Sequence, residues 1–283
     1  MSYAPGWADH ILFLILAVIF PVRAGLFGFR RLQRASVEDL PRVKRAFYRN
    51  ALIVQWVLVA ALAALWLATH RRWSGLGLVP RFGGGLAGVL VGLVIILVVM
   101  LRQGRVHPVD ERALERLRHQ TRHLARMLPT TVTERSWFFA LAATAGVCEE
   151  SLYRGYMIWY LSACLLALPI VHPATGFLYG HLFLVAAVAS SIVFGFGHVY
   201  QGPRGMLLTA AVGGFLAAVY WVTRSLYPGM LIHALMDMHA GYVSHLAYSR
   251  GGGPAPDEDV QPPETSASDS GSGPEAGGPA LTP

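Results

Sequence analysis

Apolar runs recur along the chain at 11–22, 51–68, 86–101, 137–156, 157–170, 177–196, 206–222 and 230–246. The longer ones match the roughly 20 residues that a helix needs to cross a bilayer. Hydrocarbon offers the backbone no hydrogen-bond partner, so such runs cross it as helices. The expectation is an all-α, polytopic membrane protein of about eight transmembrane helices, with its chemistry buried among them. With 54% hydrophobic and 14% charged residues, the chain lacks the polar surface of a soluble globule, which excludes an ordinary cytosolic enzyme. Its net charge of +7 then reads as attraction to the cytoplasmic leaflet of a lipid bilayer, and no nucleic-acid partner is implied. Cys148 and Cys164 lie in apolar runs and make neither a disulfide framework nor a thiolate metal cage.

The first run has no arginine before it and is followed by Arg23, Arg30, Arg31 and Arg34. This reverses the charge order of a signal peptide and predicts a retained anchor with its N-terminus outside. Two arginine-rich loops, 23–50 and 102–136, are separated by the spans 51–68 and 86–101, so both can face the cytoplasm. In 109–127, Leu114, Leu117, Leu124 and Met127 recur at helical spacing among charges, as in a helix lying on a membrane surface or a solvated connector. Gly88 and Gly92 read as a helix-packing pair. Beyond Arg250 there is no Lys, Arg or aromatic residue, which predicts a disordered tail. The organisation is therefore N-terminal helices with basic loops (1–136), a helical core (137–248) and an acidic Gly/Pro/Ser-rich tail (249–283). The arginine-rich, almost lysine-free composition suits a GC-rich bacterium, so the expected location is a bacterial inner membrane.

Only three acids, Glu149, Glu150 and Asp237, fall inside apolar runs, together with Arg154. Each buried charge costs about 2.5 to 3.5 kcal/mol, roughly 10 kcal/mol for the four, unless it is paired, neutralised or liganded. Glu150 and Arg154, four apart, can pair on one helix. Glu149 points about 100° away from Glu150 and must find a partner on another helix. The candidates are His198 and His233, the latter one turn before Asp237. Gly195 and Gly197 clear space beside His198 for a substrate or for another helix.

A buried carboxylate and two imidazoles can activate water, with Glu149 taking the proton and His198 orienting the molecule. His233 can supply a donor to the oxyanion. A serine-lysine dyad is unsupported, because the one lysine, Lys44, falls in a polar loop. There is no His-Glu-x-x-His helix, no Gly-x-Ser-x-Gly elbow and no Walker A loop.

Glu149-Glu150-Ser151-Leu152-Tyr153-Arg154 fits the pattern EExxxR, Phe194 to His198 fits FxxxH, and His233 to Asp237 fits HxxxN/D. In this order and apolar setting, over roughly 137–246, they resemble the CPBP family, intramembrane endopeptidases related to CAAX prenyl proteases and to bacteriocin-processing and self-immunity proteins. The resemblance implies an all-helical membrane protease acting on a membrane-associated peptide or protein. Glu149 would be the base, His198 its water-positioning partner, and His233 with Asp237 the oxyanion pair, with Glu150 and Arg154 in support. Tyr153, one turn after Glu149, is within reach of the same pocket.

An ionised Asp237 would repel an oxyanion, so it must be protonated, orient His233 or ligate a cation. In the last case Glu149, His198, His233 and Asp237 would hold a divalent metal such as zinc, and its bound water would attack. The same buried cluster would also serve a non-catalytic membrane partner in immunity or secretion, or a proton or ion pathway.

Overall fold

A computed structural model describes residues 4–80, 111–167 and 176–250. The predicted span 86–101 with Gly88 and Gly92, the first part of the loop 102–136, the end of the span 157–170 and the tail beyond residue 250 lie outside the described residues. Among the described residues the chain is all-helical, with no strand. Helix α1 runs over Trp7–Arg34 and α2 over Leu40–Ala68. A short α3 follows at Glu111–Thr121. Next comes α4, which passes without a break from Val132–Glu149 through a π-helical stretch, Glu150–Met157, into Ile158–Leu166. Helices α5 (Gly176–Phe196), α6 (Gly202–Thr223) and α7 (Tyr227–Arg250) complete the bundle.

Three stretches, Trp7–Arg34, Leu40–Ala68 and Val199–Thr223, are long and apolar enough to cross a membrane, and His181–Phe196 is a shorter apolar helix. They turn large apolar residues outward, among them Ile53, Val57, Leu67, Leu184, Val188, Leu207 and Val222. Such a surface suits lipid, where water would penalise it.

The count of eight spans is not reached among the described residues, and one reason is visible. The predicted spans 137–156 and 157–170 are successive parts of α4, a rod of 35 residues, about 50 Å long. No Gly-Pro or polar break separates Tyr156 from Met157, so nothing ends the helix there. The expected loop 23–50 is likewise mostly helix: α1 continues to Arg34 and α2 begins at Leu40. Lys44 is therefore on α2, only 2% exposed, with its Nζ 3.0 Å from Glu134 Oε2 and donating to Leu128 O. Of the two readings of 109–127, the structure supports a connector helix. Leu114 packs with Ala125, Leu128, Ala247 and Tyr248, and Arg118 Nε donates to Ala247 O at 2.6 Å.

The two ends of the bundle differ in charge. At one end Gln33 donates to His123 O, Arg126 to Leu32 O and Ala35 O, and Tyr48 to Met127 O. This end carries the close of α1, the starts of α2 and α4, and the close of α7. At the other end Asp9, 1% exposed, receives both Arg71 Nη atoms at 2.7 and 2.8 Å, and that guanidinium lies over Trp159, 4.4 Å from its centroid. Two close helix contacts set the interior. A Cβ on Gly146 of α4 would come 2.6 Å from Met230 O of α7, and one on Gly195 of α5 would come 2.8 Å from Met206 O of α6. Gly195 thus admits a neighbouring helix, the second of the two readings of its role.

Candidate active site

Gly146 lies one turn before Glu149, so the contact it permits presses the middle of α4 against the first turns of α7. Glu149 ends the α-helical part of α4 and Glu150 opens the π-helical stretch, a local geometry that recurs at functional sites. Both carboxylates reach His233. Its Nδ1 lies 2.9 Å from Glu150 Oε1, and its Nε2 lies 3.9 Å from Glu149 Oε2 and 3.5 Å from Asp237 Oδ2. Glu149 is 8% and His233 5% exposed, whereas the Asp237 side chain is 44% exposed. Glu150 accepts at Nδ1, which leaves Nε2 as the atom of His233 that faces the other two acids.

The expected Glu150–Arg154 pair forms, with Nη1 3.0 Å from Oε1. Neither Nη atom makes an aligned hydrogen bond among the described residues, so the attraction is Coulombic. The guanidinium lies 4.2 Å above the Phe194 ring. Phe194 also meets both imidazoles, with centroids 4.8 Å from His198 and 6.0 Å from His233. His198, half-buried, donates from Nδ1 to Phe194 O at 2.9 Å, which fixes its neutral tautomer with the Nε2 lone pair outward. His198, His233, Asp237 and Arg154 all act electrostatically on Glu149. Tyr153 packs edge-on against Phe194 at 5.1 Å.

Two contributors escape the motif-based reading. Gln55 of α2, 5% exposed, donates from Nε2 to Glu149 Oε1 at 3.3 Å, so the partner sought for Glu149 comes from two helices, α2 and α7. The Tyr200 ring lies tilted against His198 and Phe29, with centroids 5.8 and 5.5 Å away, tying the site to α1. The donor types suit zinc, but among the described residues no three His, Cys, Asp or Glu side chains are gathered closely enough to hold a metal ion. One face of His233 is already committed to Glu150. The tentative ligand set Glu149, His198, His233 and Asp237 is thus not drawn together as a ligand sphere among the described residues.

The described residues thus form an all-helical protein with outward apolar surfaces and a carboxylate–imidazole cluster buried among its helices. Residues 131–239 match the family model described as Rce1-like, type II CAAX prenyl endopeptidase Rce1-like, and the match supports a CPBP family intramembrane protease. It covers Glu149, Glu150, Arg154, His198, His233 and Asp237. The apolar helices suit an integral membrane protein. No curated protein and no solved structure matches the chain.

Proposed function

We propose that the chain is an intramembrane endopeptidase that hydrolyses a membrane-associated peptide or protein with water activated by Glu149. The observation that carries this is the convergence of Glu149 and His233, on different helices and both buried, with Nε2 and Oε2 3.9 Å apart, near His198, whose Nδ1 is committed to Phe194 O.

Glu149 takes one proton from water while the other hydrogen is held by His198 Nε2, which leaves the oxygen lone pair for the carbonyl carbon. His233, anchored through its Nδ1–H by Glu150 and oriented by Asp237, is the imidazolium in this step, and its Nε2–H donates to the oxyanion. As the tetrahedral species collapses, Glu149 returns its proton to the amide nitrogen. The C–N bond breaks to a carboxylic acid, which then releases its proton to solvent, and an amine. In this reading Asp237 serves as the orienting residue, consistent with its 3.5 Å approach to His233.

The positive-inside rule places the arginine-rich end in the cytoplasm, and α7 closes at that end, so its C-terminus faces the cytoplasm of, we propose, a bacterial inner membrane. The test is a comparison of peptides released from membranes holding the wild-type chain or Glu149→Gln. Peptides found only with wild type are expected; identical sets would leave a non-catalytic partner or an ion pathway instead. Cleavage is expected to persist after exhaustive dialysis against a chelator. Inhibition reversed by one divalent ion would instead assign the metal-dependent mechanism.

A further inference from the structure

Gln55 stands outside the family match and outside every motif, yet it is the polar group of α2 that touches the candidate base. Its amide is buried, its Nε2 donates to Glu149 Oε1 at 3.3 Å, and its Oε1 has no hydrogen-bond partner among the described residues. A buried amide oxygen without a partner is destabilising. The buried positions that follow Gln55 on α2 are Leu58, Leu62 and Trp66, and an apolar side chain at position 55 would avoid that cost. The amide's own covalent geometry keeps Oε1 within two hydrogen-bond lengths of the same carboxylate oxygen.

We infer that Gln55 is a positioning residue for Glu149, an inference that rests on the protease reading. A carboxylate that serves as base needs a donor beside it before proton transfer and an acceptor after it. A primary amide offers both from one side chain. Nε2 holds the ionised Glu149 with one oxygen directed to the water. Once Glu149 carries the proton on its water-facing oxygen, rotation of both the carboxyl and the amide brings the new O–H to the orphan Oε1. No proton passes to Gln55, which returns to its first orientation when Glu149 gives the proton to the leaving nitrogen. Leucine or methionine would hold neither state, and glutamate would oppose the first.

The test uses full-length protein in detergent and a quenched-fluorescent peptide carrying the cleavage sequence found by the peptide-release comparison. Gln55→Met is expected to lower kcat about 10- to 100-fold, with KM within about twofold and the melting temperature preserved. Gln55→Asn, which keeps the amide but withdraws it from Glu149, is expected to show the same split and decides the matter if the methionine variant does not fold. Trp56→Phe is the control: it breaks the neighbouring Trp56 Nε1 to Thr144 Oγ1 hydrogen bond of 3.3 Å and should leave kcat unchanged. Wild-type kcat in a folded Gln55 variant, or an equal fall in Trp56→Phe, would overturn the inference while the protease reading stands. Identical peptide sets from wild type and Glu149→Gln would overturn both.

Discussion

His198→Ala and His233→Ala are expected to inactivate the protein alike and to destabilise it very differently. His198 is half-buried, and its described hydrogen bond runs to Phe194 O, a carbonyl of its own helix end. Removing the imidazole costs little packing but takes away the atom that holds the second hydrogen of the attacking water. Activity should fall by about 10² to 10⁴, with melting close to wild type. His233 has two tasks: its Nε2 faces Glu149 and Asp237, and its Nδ1 holds Glu150 at 2.9 Å. Alanine there leaves Glu150 with an Arg154 whose Nη atoms make no aligned hydrogen bond. Breaking a buried charged network in this way costs about 3 to 5 kcal/mol. Thermal melts in detergent beside cleavage assays separate the two. Equal losses of melting temperature would make His198 a packing residue, and an active His198→Ala would remove it from the mechanism.

The polar cluster is legible in the sequence because intramembrane charge is rare: Glu149, Glu150, Arg154 and Asp237 stand out against apolar runs, and the histidines follow from asking what could neutralise them. What was missed was hidden by averaging over windows. Residues 40–50 look like loop because Arg42, Arg45 and Arg49 dominate the count. The buried positions of α2, Leu40, Lys44, Tyr48, Gln55, Leu58, Leu62 and Trp66, nevertheless recur at steps of three, four and seven, a single helical stripe. Read as a stripe, that pattern would have put Lys44 and Gln55 indoors and raised the question of their partners. The two-span reading of α4 failed for a related reason. A window of about 20 residues imposes a boundary, whereas the backbone ends a helix only where a breaker or a cap stops it.

Glu134→Leu is expected to be among the most damaging substitutions outside the active site, and more damaging than Lys44→Met. The two side chains pair at 3.0 Å, 2% and 8% exposed. The consequences of losing either are unequal because the survivors are provided for differently. Without Lys44, Glu134 still accepts from the Thr130 backbone N–H at 2.8 Å and its hydroxyl at 2.9 Å, and it sits in the first turn of α4, where the helix dipole favours an anion. Without Glu134, Lys44 keeps, among the described residues, only the Leu128 carbonyl at 3.0 Å, and its buried ammonium loses the carboxylate that pairs with it. The cost for Glu134→Leu should approach about 3 to 5 kcal/mol, with Lys44→Met well below it. The double variant should recover part of the loss but not all, since Thr130 remains without its acceptor. Melting temperatures of the four proteins form the cycle that measures this. Equal single losses, or a double variant no better than Glu134→Leu, would mean that the ammonium reaches water and that the pair does not clamp α2 to α4.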